Sequence, residues 1–360
     1  MNHNFCIILA GGIGQRLWPT SRREMPKQFL DFFGTGRTLL QQTFDRFARI
    51  IPLEHILIST FVDYVNTVKE QLPDLPEENI LAEPVQLSTA PAAAWAACHI
   101  AGLDADANVV ATPVDHLIMG EDRFIEQIRL GLEFVATHSQ FLAIGVKPTA
   151  PNTAYGYIQM GKPVNGGDHF MVKSFSEKPA PDYARLFVES GEFLWNTGLF
   201  LWHNETMLKL VGAHSELKLS KDDGGVRDRL LAQELEIVKK HYPSSLHRSL
   251  DMVVLDRCEN VVVKEGGFGW ADLGCWPDIY QTAHKDADGN AVLHGSQALL
   301  QGCHNTTVSL PDNTAAFIQG LDGYLVSLRG NMLLVCPNND PALARRIAGE
   351  VLVKLGEDYT

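Results

Sequence analysis

A chain of 360 residues, 45% hydrophobic and 20% charged, can bury one large core or two unequal ones, and its charge content argues against disorder. Its formal net charge of -13 excludes a broad nucleic-acid surface, because phosphate backbones are bound by extended basic patches. The six cysteines, Cys6, Cys98, Cys258, Cys275, Cys303 and Cys336, form no C-x-x-C pair and read as reduced thiols of a cytoplasmic protein, while the absence of a basic leader or a bilayer-length apolar stretch leads us to expect no membrane association.

The apolar run Phe5 to Leu9 reads as a first buried strand, followed by Ala10-Gly11-Gly12-Ile13-Gly14-Gln15-Arg16-Leu17, Trp18-Pro19-Thr20-Ser21-Arg22 and Pro26-Lys27-Gln28-Phe29. Glycines at a strand end, here Gly11, Gly12 and Gly14, let backbone amides close on phosphate oxygens with no Cβ in the way. Arg16, Arg22, Arg23 and Lys27 add positive charge against one acid, Glu24. A dinucleotide fingerprint fails because its third glycine would fall on Leu17, and a P-loop fails for lack of Gly-Lys-Ser/Thr. An ordinary tight strand-to-helix turn would use the same glycines.

Thr38 to Ile50 carries apolar residues at helical spacing, with Thr38 placed as an N-cap. Short apolar runs then recur at 55–59, 80–82, 109–111 and 141–146, separated by helix-length segments. This alternation predicts an α/β fold, a Rossmann-like mixed, mainly parallel sheet flanked by helices, with ligands at the carboxyl ends of the strands. After the run at 80–82 comes Glu83-Pro84-Val85-Gln86-Leu87-Ser88-Thr89-Ala90-Pro91, in which Ser88 or Thr89 suits the cap of the Ala-rich helix that follows. Asp115, in Pro113-Val114-Asp115-His116 at the end of the next strand, suits a divalent cation or a turn cap.

In the middle of the chain, Gly156 of Tyr155-Gly156-Tyr157-Ile158 allows close backbone approach to a ligand. Glu177 and Lys178 end another strand, where alternation points neighbours to opposite faces and need not pair them. Asn196, in Trp195-Asn196-Thr197-Gly198, can both donate to and accept from hydroxyls. Asp272, in Phe268-Gly269-Trp270-Ala271-Asp272-Leu273-Gly274-Cys275-Trp276, is a carboxylate in an aromatic-rich segment that a cation would satisfy. Beyond a polar turn at 286–290, β-like runs recur at 298–300, 306–310, 315–318, 324–328 and 332–335, and a helix over 341–355 carries Leu343, Ile347, Val351 and Leu355 on one stripe. The expected division is a catalytic domain over 1–283 and a small β-rich domain with a terminal helix over 284–360.

The segments Ala10-Gly11-Gly12-x-Gly14-x-Arg16-Leu17-Trp18-Pro19-x-Ser21-Arg22 and Pro26-Lys27-Gln28-Phe29 resemble the signature of the mannose-1-phosphate guanylyltransferases, within the sugar nucleotidyltransferases. Pro113-x-Asp115-His116, Tyr155-Gly156-Tyr157-Ile158, Phe175-x-Glu177-Lys178-Pro179, Trp195-Asn196-Thr197-Gly198, Ser249-Leu250-Asp251 and Gly269-Trp270-x-Asp272-x-Gly274-x-Trp276 resemble further motifs of that family. Thr197 stands where the family has serine, and Leu87-Ser88 where it has Arg-Asn.

The resemblance implies in-line attack of mannose 1-phosphate on the α-phosphorus of GTP, giving GDP-mannose and pyrophosphate. Arg16 and Lys27 would neutralise the triphosphate, with Ala10, Gly11, Gly12, Gly14, Ser88 and Thr89 also binding nucleotide, and Asp115 and Asp272 would hold one magnesium ion (Mg2+). Glu177 and Asn196 would bind sugar hydroxyls and Lys178 the sugar phosphate, beside Gly156; Asp251 reads as a supporting group. It further implies a left-handed β-helix-like C-terminal segment, a homodimer, and a short form without an isomerase domain. Transfer to another sugar 1-phosphate or from another base is the alternative, because Leu87 and Ser88 lie in the base-recognition segment.

Overall fold

The computed structural model describes residues 2–164, 166–213, 234–236, 238–245, 247–257, 259–293, 297–312 and 314–359. Cys258, read above as a reduced thiol, lies outside them, whereas Cys6, Cys98, Cys275, Cys303 and Cys336 are free thiols. The principal elements in chain order are β1 (Asn4–Leu9), α1 (Leu39–Ala48), β2 (Ile56–Phe61), α2 (Val65–Gln71), β3 (Ile80–Glu83), α3 (Thr89–Leu103), β4 (Asn108–Pro113), β5 (His116–Ile118), α4 (Glu121–Thr137) and β6 (Phe141–Val146). There follow β7 (Tyr157–Pro163), β8 (His169–Ser176), α5 (Pro181–Ser190), β9 (Phe193–His203), α6 (Asn204–Ala213), α7 (Leu250–Arg257), β10 (Val261–Glu265), β11 (Trp270–Asp272) and α8 (Trp276–Thr282). The C-terminal part contains β12 (Ala291–Val292), β13 (Gln297–Gln301), β14 (Thr307–Ser309), β15 (Ala315–Gln319), β16 (Tyr324–Arg329), β17 (Met332–Pro337) and α9 (Leu343–Leu355).

The chain divides into two compact units: Met1–Gly11, Thr43–Val114 and Ile118–Trp270 make the first, and Gly12–Gln42, Asp115–Leu117 and Ala271–Thr360 the second. The first is built on a nine-stranded sheet of order β3-β2-β1-β4-β9-β6-β10-β8-β7. Its strands β3, β2, β1 and β4 are mutually parallel, as are β6 and β10, while β9 runs against β4 and β6, and β8 against β10. The mainly parallel sheet expected from the alternation of elements is therefore present, with antiparallel β9 inserted at its centre. The β1 side chains from Phe5 to Ile8 are fully buried, as expected of parallel strands covered on both faces. Helix α3 packs into the same core through Ala93, Ala94, Trp95, Ala96, Ala97 and Ile100; its small side chains permit close approach at little entropic cost.

One irregularity of this sheet lies beside Asn196. Between β6 and β9 the register slips, so that Leu199 pairs with Ile144 but Asn196 pairs with Gly145, leaving Thr197 and Gly198 as a bulge. Gly198 has φ +73°, and a Cβ there would lie 3.0 Å from the Pro113 ring. The Thr197 hydroxyl donates to the Ile144 carbonyl at 2.6 Å and accepts from the Leu199 amide at 3.3 Å, satisfying backbone groups that the slip would strand.

In the second unit, Leu17, Trp18, Leu273, Trp276, Leu325, Leu334, Ala344 and Ala348 form one apolar core, with Leu343, Ile347 and Val351 of α9 packed against it. The helical stripe thus points inward except at its last member, Leu355, which is 59% exposed. Strands β12, β14 and β16 stack in parallel, β13 pairs in parallel with β15, and β17 closes on β16 antiparallel. The regular advance of short parallel strands is the β-helix-like C-terminal segment expected from the sequence. Thr38 caps α1 as expected: its hydroxyl accepts from the Gln41 amide at 3.3 Å, while the Gln41 side chain accepts from the Thr38 amide at 3.0 Å.

Candidate active site

In the second unit the glycine loop is held open by specific bonds. Gly14 has φ +69°, and a Cβ there would come within 2.7 Å of Ser21 Oγ, so both conformation and space require glycine. Ser21 Oγ donates to the Ile13 carbonyl at 2.7 Å and accepts from the Lys27 amide at 2.9 Å, tying the two halves of the basic segment together. Gln28 Nε2 donates to the Gly12 carbonyl at 2.9 Å. Around Gly12 nothing comes within 4 Å of an added Cβ, which leaves that stretch of backbone accessible. The Trp18 indole donates to the Tyr359 carbonyl at 2.9 Å, and the Trp276 indole donates to the Trp18 carbonyl at 3.0 Å, so the loop is anchored at both tryptophans.

Arg22 departs from the expectation of a phosphate-facing cation. Its guanidinium donates to the carbonyls of Pro19 at 3.1 Å and Arg329 at 2.6 Å, and the residue is buried. Burial lowers its pKa, with Glu24 opposing and Arg329 adding to the shift. Its donors serve the backbone of the loop.

Arg16, Lys27, Asp115 and Asp272, distant in sequence, are gathered in this unit. The Lys27 ammonium is hydrogen-bonded to the Asp115 carboxylate and donates to the Leu273 carbonyl at 3.2 Å. Burial would lower the Lys27 pKa, but Asp115 and Asp272 outweigh it and raise the value. Burial would likewise raise Asp115, yet Lys27 and His116 hold its carboxyl well below the usual range. Asp272 goes the other way: burial and the neighbouring Asp115 charge push it up, against Lys27 and Arg16. An added Cβ at Gly274 would lie 2.7 Å from Asp272 Oδ2 and 2.8 Å from Arg16 Nη2, so Gly274 makes the room in which these side chains sit. Asp278 accepts from the Cys275 amide at 3.1 Å at the start of α8, and Arg16 is among the charges acting on its carboxyl.

This donor set fits a hard divalent cation. Two half-buried carboxylates share one direct ammonium contact, and the second carboxyl is shifted toward its neutral form, a cost that a cation at Asp272 would remove. Among the described residues no group of three or more His, Cys, Asp or Glu side chains is arranged to hold a metal alone. A pair of carboxylates completed by substrate phosphates is the arrangement that magnesium favours.

Within the first unit, the Ala10–Gly11 segment is pinned to its neighbours. The Ala10 amide donates to the Ser59 carbonyl at 2.8 Å, Thr60 Oγ1 donates to the Ala10 carbonyl at 3.1 Å, and Gln86 Nε2 donates to the Gly11 carbonyl at 3.1 Å. Glu83 backs Gly11 so closely that an added Cβ would lie 3.0 Å from its Oε1; its carboxyl accepts from Ser59 Oγ at 2.8 Å and Tyr242 OH at 2.6 Å. Ser88 takes the N-cap position of α3 without a side-chain cap bond, and Thr89 Oγ1 accepts from the Leu250 amide at 2.8 Å. Leu87 packs against the apolar core.

Gly156, Glu177, Lys178 and Asn196 cluster in the first unit too. A Cβ on Gly156 would lie 2.8 Å from the Phe175 ring and 2.9 Å from Glu177 Oε2. Lys178 adopts φ +46°, rare for a side-chain-bearing residue, and its ammonium pairs with the Glu177 carboxylate. Strand β8 stops at Ser176, so Glu177 and Lys178, expected to end the strand on opposite faces, lie in the bend beyond it, where alternation no longer applies. Asn196 Nδ2 donates to Asp251 Oδ1, and Asn196 Oδ1 accepts from the Gly198 amide at 3.0 Å. Burial raises the Asp251 carboxyl and the Asn196 bond lowers it; Glu177 and Lys178 act on it with opposite signs, so all four side chains share one neighbourhood.

Several of these residues escaped the sequence reading as site residues. Ser21, Gln28 and Gly274 lie inside motifs that were recognised, but nothing in the string tells a bracing residue from a contacting one. Glu83 and Asp278 carry local signals only, a strand-end acid and a Cys-x-x-Asp cap pattern. Their relation to Gly11 and Arg16 depends on residues far along the chain.

The sequence profile of the family described as nucleotidyl transferase matches residues 5–289. A mannose-1-phosphate guanylyltransferase of Salmonella muenchen is 35% identical over 341 residues, covering 89% of this chain and 69% of that protein. One of Sinorhizobium fredii is 32% identical over 324 residues, covering 89% of this chain and 62% of its own length. The chain thus spans about two thirds of these two relatives. A crystal structure described as mannose-1-phosphate geranyltransferase from Thermus thermophilus is 27% identical with TM-score 0.84, covering 97% of this chain and 99% of that one. With the glycine loop, the paired carboxylates and these similarities together, the chain belongs to the nucleotidyl transferase family, on the branch of the mannose-1-phosphate guanylyltransferases.

Proposed function

We propose that this chain transfers the guanylyl group of GTP to mannose 1-phosphate, releasing pyrophosphate and forming GDP-mannose. The observation that carries the reading is the gathering of Arg16, Lys27, Asp115 and Asp272 from three distant segments, with two half-buried carboxylates, beside an open glycine backbone. The relatives named for this activity supply the substrates.

In the proposed reaction, amides of the Gly11 to Gly14 loop and the N-terminal segment of α3, through Ser88 and Thr89, bind nucleotide; the Ala10 amide, expected to do the same, is instead committed to the Ser59 carbonyl. Arg16 and Lys27 stabilise the charge that grows on the departing pyrophosphate. Asp115 and Asp272 would hold Mg2+, which when bound supplies charge neutralisation at the reacting phosphates. Glu177 and Asn196 bind sugar hydroxyls beside Gly156. Lys178 holds the phosphate whose oxygen attacks the α-phosphorus in line, so the protein's contribution is alignment and preorganised charge, with no covalent intermediate. Free thiols support a cytoplasmic setting. A homodimer is supported by the cross-strand pair Leu299 and Phe317, 71% and 65% exposed, on the β-helix-like segment.

The test is a grid of nucleoside triphosphates against sugar 1-phosphates, read as pyrophosphate release with and without Mg2+. GTP with mannose 1-phosphate should exceed every other pair. Strong preference for another base or for glucose 1-phosphate would overturn the specific reading and leave nucleotidyl transfer standing.

A further inference from the structure

Asn196 reaches Asp251 from a bulge. The slip between β6 and β9 removes residue 196 from regular alternation, and the Thr197 hydroxyl and the Gly198 turn hold that distortion in place. The side-chain amide then has two fixed partners: Asp251 Oδ1 takes one Nδ2 hydrogen, and the Gly198 amide occupies one lone pair of Oδ1. An asparagine amide has two donors and one acceptor oxygen whose positions exchange on a half-turn of the side chain. The Gly198 amide admits only the oxygen on its side, and Asp251 admits only the nitrogen on the other. One hydrogen and one lone pair remain, with their positions set.

We propose that Asp251 is a positioning residue for sugar recognition, which fixes the orientation of the Asn196 amide and thereby the pattern of donor and acceptor offered to hydroxyls of the sugar 1-phosphate. The proposal rests on the reading of Glu177, Lys178 and Asn196 as the sugar-phosphate site. Asp251 lies in the first turn of α7, whose Leu250 amide is bound by Thr89 Oγ1, so its carboxylate comes from an element tied to the start of α3; Asn196 is tied in turn to the bulge through the Gly198 amide. A donor fixed in this way loses little freedom on binding and discriminates against a hydroxyl of the wrong stereochemistry by leaving a polar group unpaired.

The experiment compares Asp251→Ala and Asp251→Asn, alone and each combined with Asn196→Ala, measuring KM for each substrate and kcat, with thermal melts as control. Asp251→Ala should raise KM for the sugar 1-phosphate about tenfold, the factor for one such hydrogen bond, and leave KM for the triphosphate unchanged. Asp251→Asn keeps an acceptor oxygen and should restore KM. In an Asn196→Ala background, either Asp251 change should add nothing, because its effect passes through Asn196. If alanine does not fold, Asp251→Leu, of similar shape without an acceptor, carries the same expectations. An equal rise in both KM values, or additive effects with Asn196→Ala, would overturn the positioning role. If Asn196→Ala and Lys178→Ala themselves leave KM for the sugar unchanged, the reading of the site fails; if they raise it and Asp251→Ala does not, only the proposal fails.

Discussion

Gly274→Ala separates geometry from stability in the second unit. The backbone at Gly274 lies outside the left-handed region, so an L side chain meets no conformational strain. The methyl group would, however, lie 2.7 Å from Asp272 Oδ2 and 2.8 Å from Arg16 Nη2, where ordinary contact begins at 3.4 Å. One or both side chains must therefore retreat by about 0.7 Å. Arg16 is long and moves its end group cheaply, while Asp272 is short and half-buried, with Asp115 and Lys27 around it. Folding should change little, since the added methyl also restricts the unfolded chain by about 0.4–1 kcal/mol. Catalysis that depends on the placement of these two groups should fall about a hundredfold, the usual consequence of misplacement by about 1 Å. The assay is pyrophosphate release at saturating substrates, paired with a thermal melt. Activity within about threefold of the parent at an unchanged melting temperature would refute the view that Arg16 and Asp272 act from their present positions. Loss of activity in proportion to loss of folded protein would refute the claim that geometry is what the glycine protects.

Lys27→Met removes the direct partner of a half-buried carboxylate, and leaving Asp115 unpaired should cost about 1–3 kcal/mol of stability in urea titrations without divalent cation. Added Mg2+ should raise the melting temperature of the parent, reflecting about 2.7 kcal/mol at a hundredfold excess over Kd, and Asp272→Asn should abolish the rise; a rise retained in that variant would exclude Asp272 from the cation site. Glu83 has its carboxyl raised by burial, against the bonds from Tyr242 and Ser59, so the fold favours its neutral form. The associated stability is present below the unfolded value near 4.3 and is lost as pH rises through the folded value. Glu83→Gln should therefore gain on the parent in denaturant melts as pH increases across that window, and a constant difference would refute the assignment. Arg22→Ala should lower stability by about 1.5–3 kcal/mol through the lost carbonyl contacts, with KM for the triphosphate close to the parent; a large rise in that KM would return Arg22 to the phosphate-binding set.

Local sequence determined much of this protein. The buried run Phe5 to Ile8, the Thr38 cap, and the recurrent strands of the C-terminal segment are visible because each depends on neighbours within a few residues or on a short period. Glycine demand at Gly14 is equally local, since a positive φ excludes other residues whatever surrounds it. The motifs also named Arg16, Lys27, Asp115 and Asp272 as candidates, through their resemblance to those of the guanylyltransferases.

Tertiary structure decided how those candidates are used. Arg22 and Lys27 look alike in the string, yet one serves the carbonyls of Pro19 and Arg329 and the other a carboxylate at position 115. Burial raises the carboxyls of both Asp115 and Asp272, but the direct Lys27 contact holds Asp115 down while the Asp115 charge pushes Asp272 up, an effect that exists only once the fold sets their separation. The bulge at Thr197 and Gly198 likewise arises from pairing with β6, and it alone turns Asn196 toward Asp251. Chain-local signals identify which groups are present; desolvation, charge coupling and register act between residues that the sequence holds far apart, so only the folded chain assigns their work.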